Sequence, residues 1–368
     1  MKGRYEKQRP KQTLKALKIF ALFFLALALT VVVVVCLYYN AMLNKLNHVE
    51  VQDIFYTTPT HDLTSNIPKA TQEPSHPDTT TISTEPHIPS SKDYINFLLV
   101  GQASRDGEDA RFADTMILCT INTYEKTITM TSLLRDSLIQ MPDYRGHTGG
   151  RIKLTTIYHL GSLYGNGIAG SMEMMNLTLY NNFGIEVDHN FEIDFNAFIT
   201  VIDIMGGVDI EITAAEADYL NKEDFWVHSD VTPGLAHLDG MTALCYARMR
   251  KATGDSDSDI TRTSRQRKLI ASLLEKLQQL TISELQSLLQ EVLPLVSTSM
   301  DNAEITDMIL TLLPLLPDLT INASGTCPAN YYGDMVEIYG DGVYHSVLRF
   351  SETETKATMR AITEGEKP

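Results

Sequence analysis

The hydrophobic pattern changes character several times along the chain. An uncharged apolar run at residues 19–39 is followed, from residue 57 to 93, by a stretch rich in Thr, Ser and Pro. Such a stretch buries too little apolar surface to fold, so we predict a disordered tether there. From Tyr94 onward, apolar residues recur at the spacings of strands and helices, and we predict that the folded part begins at this residue.

Strand-like and helix-like segments alternate in the folded part. Residues 95–100 form a continuous apolar run, typical of a strand buried on both faces. The other predicted strands are residues 115–121, 127–133, 186–194 and 208–212. The predicted helices are residues 155–164, 169–183, 195–205, 263–280, 282–293 and 303–313. This order predicts an α/β fold, a layered α/β/α domain with a central mixed sheet. Residues 320–368 carry two more strand candidates, 336–339 and 342–348, and a terminal helix, 352–362.

The N-terminal segments resemble a membrane anchor. Residues 1–18 carry seven Lys/Arg and one Glu. An apolar run of about 20 residues matches one membrane-spanning helix, and basic residues before it place the N-terminus in the cytoplasm. A cleaved signal peptide is the alternative, but residues 36–42 lack its cleavage pattern. We therefore predict a cytoplasmic tail (1–18), a transmembrane anchor in the cell membrane (19–39), a stalk and linker (40–93), an extracytoplasmic domain (94–319) and a small C-terminal extension packed on it (320–368).

Charge and cysteine content exclude some functions. The formal net charge is -16 although the tail is basic, so nucleic acid is a poor partner. Cys36 lies in the apolar run, which leaves the odd set Cys119, Cys245 and Cys327 and no legible disulfide framework. Cys119 and Cys245 have apolar neighbours, and we expect both to be small buried hydrophobes.

Residues 246–267 concentrate arginines in this acidic chain. They are Arg248, Arg250, Arg262, Arg265 and Arg267. In an extended segment Tyr246, Arg248 and Arg250 would share a face, and at helical spacing Arg262, Arg265 and Gln266 continue an apolar stripe. Surface ion pairs are the ordinary alternative. A partly buried guanidinium without an anionic partner is costly, so the spacing favours an anion site, since Arg matches phosphate or carboxylate oxygens.

Polar clusters flank the predicted strands. They are Arg105-Asp106, Arg111 to Asp114, Arg135-Asp136 and Arg248 to Arg250. Ligands of open α/β sheets bind beyond the carboxyl ends of strands, so we expect Arg105, Arg135, Arg248 and Arg250 to converge. Asp114 either ends a turn or binds Mg²⁺ beside a phosphate. Lys153 follows two glycines and is a further phosphate-binding candidate, or an ordinary exposed lysine.

An ordered set of motifs links these clusters to a known family. In chain order they are Asn96-Phe-Leu-Leu-Val-Gly101, Ala113-Asp-Thr-Met-Ile-Leu118, Ser132-Leu-Leu-Arg-Asp136, Asp203-Ile-Met-Gly-Gly-Val208, the segment from Leu238 to Arg250, Asp257-Ser-Asp259 and Arg262-Thr-Ser-Arg-Gln-Arg267. Over residues 94–280 the chain resembles the LytR–CpsA–Psr family of bacterial cell-envelope proteins. The resemblance implies a phosphotransferase that moves a glycopolymer, teichoic acid or capsular polysaccharide, from an undecaprenyl-pyrophosphate carrier to peptidoglycan at the lipid bilayer.

The resemblance also implies roles for residues. Pyrophosphate would bind Arg248, Arg250, Arg262, Arg265, Gln266 and Arg267. Arg105, from the strand-end argument, and Lys153, from its place after the glycines, are further candidate ligands. The strand-end arginine of the family maps to Arg135, a catalytic candidate, and its Mg²⁺-binding Asp maps to Asp114. A second metal-binding Asp of the family is replaced by Ala103, with Asp106 close by as a substitute. The family's Lys-Leu-Asn-Ala is Lys153-Leu-Thr-Thr here.

The expected reaction is attack by a peptidoglycan hydroxyl on the phosphorus nearest the glycopolymer. Arginines and Mg²⁺ would stabilise the developing charge, and Asp136 is a candidate to accept the hydroxyl proton. Two alternatives stay open: a hydrolase that cleaves the pyrophosphate with water, and a non-catalytic protein that binds or senses lipid-linked glycan.

Overall fold

The computed structural model describes residues 41–51, 93–103, 111–222, 230–250, 258–340 and 342–365. The strands are β1 (Asn47–His48), β2 (Tyr94–Ala103), β3 (Phe112–Asn122), β4 (Thr127–Leu133), β5 (Leu138–Gln140), β6 (Arg151–Lys153), β7 (His189–Asp194), β8 (Val208–Ile212), β9 (Gly234–Leu238), β10 (Ser297–Thr298), β11 (Thr320–Cys327), β12 (Tyr332–Glu337) and β13 (Tyr344–Arg349). The helices are α1 (Leu154–Tyr164), α2 (Gly167–Phe183), α3 (Phe195–Ile204), α4 (Ala214–Leu220), α5 (Gly240–Arg248), α6 (Ser258–Gln278), α7 (Ile282–Val292), α8 (Asn302–Leu312) and α9 (Glu352–Thr363).

A mixed seven-stranded sheet organises the fold, in the order β1-β10-β7-β2-β3-β4-β11. Strand β2 is parallel to β7 and antiparallel to β3, which is antiparallel to β4, and β4 is parallel to β11. The carboxyl ends of β2, β4, β7 and β11 therefore share one edge of the sheet, which we call the carboxyl edge. The predicted α/β fold with a central mixed sheet is confirmed.

Apolar side chains cover both faces of the sheet. Leu98 and Val100 of β2 pack on one face against the cluster that includes Tyr158 and Phe183 of α1 and α2. Phe97 lies on the other face, in a cluster joined by half-buried side chains of α6 and α8. Strand β2 is apolar on both faces because both faces are covered, and this accounts for the continuous run at residues 95–100.

The segment after the predicted anchor belongs to the folded domain. Met42, Leu43 and Leu46 are buried in the same cluster as Phe97. Strand β1 then pairs parallel with β10, with Asn47 opposite Ser297. Residues 41–51 are therefore part of the sheet and its core and not of a stalk, which corrects the sequence-based assignment. The tether predicted at 57–93 and the anchor at 19–39 lie outside the described residues, apart from Asp93, and none of the described helices is long and apolar enough to cross a membrane.

The C-terminal part is continuous with the central sheet. The boundary predicted at Thr320 coincides with the start of β11, which pairs with β4 from Thr320 to Cys327. A hairpin of β12 and β13 and the helix α9 follow, and Met359 of α9 is buried against the α1–α2 face. Cys119 and Cys327 are buried thiols, whereas Cys245 is only half-buried.

One predicted element has the wrong secondary structure. The sequence analysis treats the segment of Tyr246, Arg248 and Arg250 as extended, but Gly240–Arg248 is a helix that Asp239 caps by accepting a hydrogen bond from the Thr242 amide. The alternation of Leu244, Tyr246 and Arg248 mimics a strand. A capping carboxylate three residues before a paired amide outweighs that short alternation.

Candidate functional site

The carboxyl edge brings together the turn after β4 and the start of β3. The register between β2 and β3 shifts after Gly101, which pairs with Thr115, while Gln102 pairs with Ala113. Asp114 is the extra residue of this bulge. The turn after β4 presents Arg135, whose Nη1 donates to Asp114 Oδ1 at 2.7 Å. This ion pair joins the turn after β4 to the bulge in β3.

Helix α6 and strand β6 complete an arginine–aspartate cluster around Arg135. Its members are Asp114, Arg135, Asp136, Lys153, Asp259 and Arg262. Arg135 Nε lies 3.3 Å from Asp259 Oδ2 and 3.6 Å from Asp136 Oδ2. Lys153 Nζ donates to Asp136 Oδ1 at 2.8 Å, and Arg262 Nη2 lies 3.4 Å from Asp259 Oδ1. Four segments distant in sequence therefore converge at one edge.

The cluster perturbs the ionisation of its members. Burial opposes the charge of Arg135, but Asp259, Asp136 and Asp114 together raise its pKa. Burial also opposes the charge of Asp259, yet a hydrogen bond with Asp136 and the charge of Arg135 lower the pKa of this carboxyl. Arg135 is thus fixed in its ionised form by surrounding carboxylates.

Arg262 differs from Arg135 because, among the described residues, its ion-pair contact is with Asp259 alone, at 3.4 Å and without a hydrogen bond. Its side chain is 4% exposed, and burial and the nearby charge of Arg135 lower its pKa. Within the described residues, the buried Nε and Nη2 atoms have no hydrogen-bond partner. Buried donors are normally hydrogen-bonded, and the Asp259 carboxylate offsets the charge of Arg262 without satisfying these donors. These N–H groups therefore indicate that an anion belongs beside Arg262.

Two more arginines extend this positive surface. Arg248 is exposed at the end of α5, with its guanidinium carbon 4.6 Å from the centroid of the Phe195 ring. Arg250 is also exposed, and its charge contributes to the lowered pKa of Arg262, so the two groups are neighbours. Stacking on an aromatic ring leaves the edge of a guanidinium available for hydrogen bonds to phosphate.

The remaining α6 side chains of the predicted site already bind protein acceptors. Arg265 donates from Nε to Glu216 Oε1 at 2.7 Å and from Nη1 to the Met249 carbonyl at 3.1 Å. Gln266 Nε2 donates to the Ala247 carbonyl at 3.3 Å. These contacts tie α6 to α4 and to the end of α5.

Arg267 is committed in the same way. Its Nε donates to the Ala323 carbonyl at 3.0 Å and its Nη1 to Ser132 Oγ at 2.6 Å, joining α6 to β11 and β4. The geometry favours a positioning role for Arg265, Gln266 and Arg267, whose contacts hold the helix that presents Arg262.

Two predicted site residues, the pyrophosphate ligand Arg105 and the metal ligand Asp106, lie outside the described residues, and β2 ends at Ala103. The described part of the chain contains no group of three His, Cys, Asp or Glu side chains arranged to hold a metal ion. Asp114 supplies one carboxylate, which the ion pair with Arg135 already engages.

Two important partners were missed by sequence reasoning. Asp259 lies in a motif of the family but was assigned no role, although it pairs with both Arg135 and Arg262. Glu216 gave only a local signal, the capping box Thr213–Glu216 at the start of α4. Nothing in that local pattern shows that the same carboxylate also accepts a hydrogen bond from Arg265.

More cations than carboxylates lie at the carboxyl edge. The five cations are Arg135, Lys153, Arg248, Arg250 and Arg262, and the three carboxylates are Asp114, Asp136 and Asp259. The excess of positive charge, together with the unpaired donors of Arg262, suits a multivalent oxyanion such as a pyrophosphate. A carboxylate beside such an anion can also accept a proton from an incoming hydroxyl.

Curated relatives match about half of the chain. The chain is 31% identical over 189 residues to a polyisoprenyl-teichoic acid–peptidoglycan teichoic acid transferase, TagT, of Bacillus subtilis, which covers 50% of this chain and 53% of that protein. It is 29% identical over 179 residues to Biofilm regulatory protein A of Streptococcus mutans, covering 48% and 41%. The chain spans about half the length of the curated relatives it matches.

Solved structures share the fold. A structure described as TagT bound to LIIa-WTA superposes with a TM-score of 0.55 at 22% identity, covering 76% of this chain and 94% of that chain. Bacillus subtilis TagV gives 0.56 at 22% identity, covering 75% and 99%. The protein gbs0355 of Streptococcus agalactiae gives 0.55 at 26% identity, covering 74% and 87%. The sequence model of the LytR_cpsA_psr family matches residues 55–332, and with this shared fold the chain belongs to the LytR–CpsA–Psr family.

Proposed function

We propose that the chain is a membrane-anchored, extracytoplasmic phosphotransferase that moves a glycopolymer from an undecaprenyl-pyrophosphate carrier to peptidoglycan. The observation that carries the proposal is that the buried Nε and Nη2 atoms of Arg262, within the arginine–aspartate cluster, form no hydrogen bond with the described residues. Family membership and relatives named as teichoic acid transferases support it.

In the proposed reaction the described residues bind the pyrophosphate and receive a proton. Arg262, with Arg248 and Arg250 beside it, holds the non-bridging oxygens and stabilises the charge that develops on them. An acceptor hydroxyl attacks the phosphorus nearest the glycopolymer, the bond from that phosphorus to the bridging oxygen breaks, and undecaprenyl phosphate leaves. Asp136 accepts the hydroxyl proton, and Lys153, 2.8 Å away, holds this carboxylate in place.

Mg²⁺ is the proposed cofactor, with Asp114 and Asp106 as its protein ligands. The donor chemistry fits, because Mg²⁺ commonly takes one or two carboxylates and completes its octahedron with phosphate oxygens and water. When bound, the ion would neutralise charge on the phosphate oxygens. Asp114 would exchange part of its contact with Arg135 for the cation.

We further propose that the apolar face opposite α1 and α2 receives the prenyl chain. Half-buried side chains of α6 and α8, among them Leu274, Met308 and Leu312, line this face next to the sheet. Residues 19–39 are the proposed anchor. A domain held at the bilayer would meet the carrier there, and a peptidoglycan acceptor would approach from the solvent side.

Replacement of Arg262 by methionine tests the proposal. The substitution removes a buried charge whose donors are unsatisfied, so we expect thermal stability to be retained or raised. Affinity for farnesyl pyrophosphate should fall by about thirtyfold or more, since a lost contact to a buried charge costs about 2–5 kcal/mol.

Calorimetric titration of the full-length protein measures the affinity, and its melting temperature reports the fold. Arg360→Met, at an exposed position of α9, is the matched control and should change neither. Unaltered pyrophosphate affinity in Arg262→Met would show that the anion site is wrongly placed.

A second candidate function is binding of lipid-linked glycan without transfer. Ala103, where the family has a metal-binding carboxylate, is the observation that favours it. Incubation with Mg²⁺, lipid-linked glycan and peptidoglycan fragments separates the possibilities. Ligated product indicates transfer, free phosphorylated glycan indicates hydrolysis, and tight binding without either product indicates a binding protein.

A further inference from the structure

A polar cavity lies at the carboxyl edge, where β7 and β2 end. Its volume is about 470 Å³, within the usual range for small-molecule sites. The polar side chains that matter for its chemistry are Gln102, Arg111, Glu192, Asp194, Asn196 and Thr200. The ends of β1, β10, β7 and β2, which are neighbours in the sheet, form one side, and the first turns of α3 form another.

The cavity is built on a buried hydrogen-bond network. Glu192 is 5% exposed and accepts from the Tyr158 hydroxyl at 2.5 Å and from Arg111 Nη1 at 3.0 Å. The same Nη1 also donates to Gln102 Oε1 at 3.2 Å. Both carboxylate oxygens of Glu192 are therefore used to orient its neighbours. Such a network fixes the guanidinium of Arg111, whose side chain remains one-third exposed, at the cavity wall.

Several polar atoms remain to face a ligand. Asp194 accepts from the Ala197 amide through Oδ1 at 2.8 Å, which leaves Oδ2 to accept elsewhere. Asn196 is exposed and supplies an amide that both donates and accepts. Arg111 contributes donors, and Thr200, whose hydroxyl donates to the Asn196 carbonyl at 2.8 Å, adds an acceptor. Sugar hydroxyl groups also donate and accept, so carboxylate, amide and guanidinium groups together suit a saccharide.

The charges of the cavity argue against an anionic ligand. Arg111 is offset by Glu192 at 3.0 Å, and Asp194 adds a further negative charge. A polyanion such as a phosphate-bearing glycopolymer would be repelled here and attracted to the neighbouring arginines. The cavity therefore suits a neutral saccharide.

The position of the cavity relates it to the anion site. Gln102 pairs with Ala113, the residue before Asp114, and with Asp194 on the other side. Asn196 follows Phe195, the ring beneath Arg248. Backbone pairing therefore places the cavity wall beside the residue that precedes Asp114, and a saccharide in the cavity would lie at the same edge of the sheet as the anion site.

We propose that this cavity binds a neutral saccharide unit of the acceptor glycan and positions it for attack. The proposal rests on the proposed transferase function, because only that function requires a hydroxyl-bearing acceptor beside the pyrophosphate. The recognising groups are Arg111, Asp194 and Asn196, while Glu192 positions Arg111.

Titration of the full-length protein with chitotetraose, a neutral N-acetylglucosamine oligomer, tests the proposal. Asn196→Leu should lower the affinity about tenfold or more by removing hydrogen bonds and filling the cavity. Arg111→Gln should also lower it. Asn181→Leu, the same change at an exposed position of α2, should not. A glycerol phosphate oligomer should fail to compete.

Farnesyl pyrophosphate affinity, measured on the same samples, separates the two proposals. Retained pyrophosphate binding in Asn196→Leu with weakened chitotetraose binding supports the cavity. If the wild type does not bind farnesyl pyrophosphate but Asn196→Leu still weakens chitotetraose binding, the cavity proposal stands and the anion site is refuted. Absence of chitotetraose binding in the wild type, equal affinity in Asn196→Leu and Arg111→Gln, or effective competition by the anionic oligomer would overturn the inference.

Discussion

The buried pair of Glu216 and Arg265 offers a sharp test of how the structure holds α6. Their side chains are 10% and 8% exposed, and Arg265 Nε lies 2.7 Å from Glu216 Oε1. Glu216→Gln keeps a side chain that can complete the capping box of α4, but it removes the negative charge opposite a buried guanidinium. Removal of one partner from a buried pair costs about 3–5 kcal/mol.

Thermal unfolding measures this loss. For a domain of this size, roughly 2–4 °C are lost per kcal/mol, so the midpoint should fall by about 6–20 °C. Glu284→Gln is the matched control, because Glu284 occupies the same capping-box position of α7 on the surface. The double variant Glu216→Gln/Arg265→Met should recover much of the loss. A fall of less than about 2 °C in Glu216→Gln would refute the argument that this pair secures α6.

Two further predictions concern packing and pH. Gly161→Ala places a Cβ in overlap with the Gly170 carbonyl and 2.7 Å from the Ser171 Cα, where α1 crosses α2, so we expect a loss of about 1–3 kcal/mol in urea unfolding. Gly150→Ala, with open space around it, should be neutral. The pKa of Asp259 is lowered in the folded protein, so its contribution is present above its ordinary value of 3.8 and lost as the pH falls through the lowered value. The stability difference between wild type and Asp259→Asn should shrink below pH 3.8. A difference that does not change with pH would contradict the lowered pKa of Asp259.

The sheet could be predicted because its central strands have hydrophobic patterns that can be recognised in the local sequence. Residues 95–100 are apolar on both faces, and Thr127–Leu133 matches its predicted bounds. The two-residue strands β1 and β10 could not be predicted, because so short a segment shows no alternation of apolar and polar residues. Strand β1 is defined by its pairing with β10 and by the burial of the residues before it.

The site was predictable as a set of residues but not as a set of contacts. The arginine spacing and the family motifs pointed to Arg135, Asp114 and Arg262. Which arginine is already satisfied depends on partners remote in sequence: Glu216 lies 49 residues from Arg265, and Ser132 lies 135 residues from Arg267. No periodicity reports such pairings, so the unsatisfied donors of Arg262 could be recognised only in the folded chain.

Strand β1 brings residues that precede the 52–92 stretch into the central sheet. Val51 and Asp93 both flank folded segments of one domain, and β1 and β2 belong to the same sheet. The sheet, and not the length of the stretch between these strands, therefore sets the distance between residues 41–51 and the anion site.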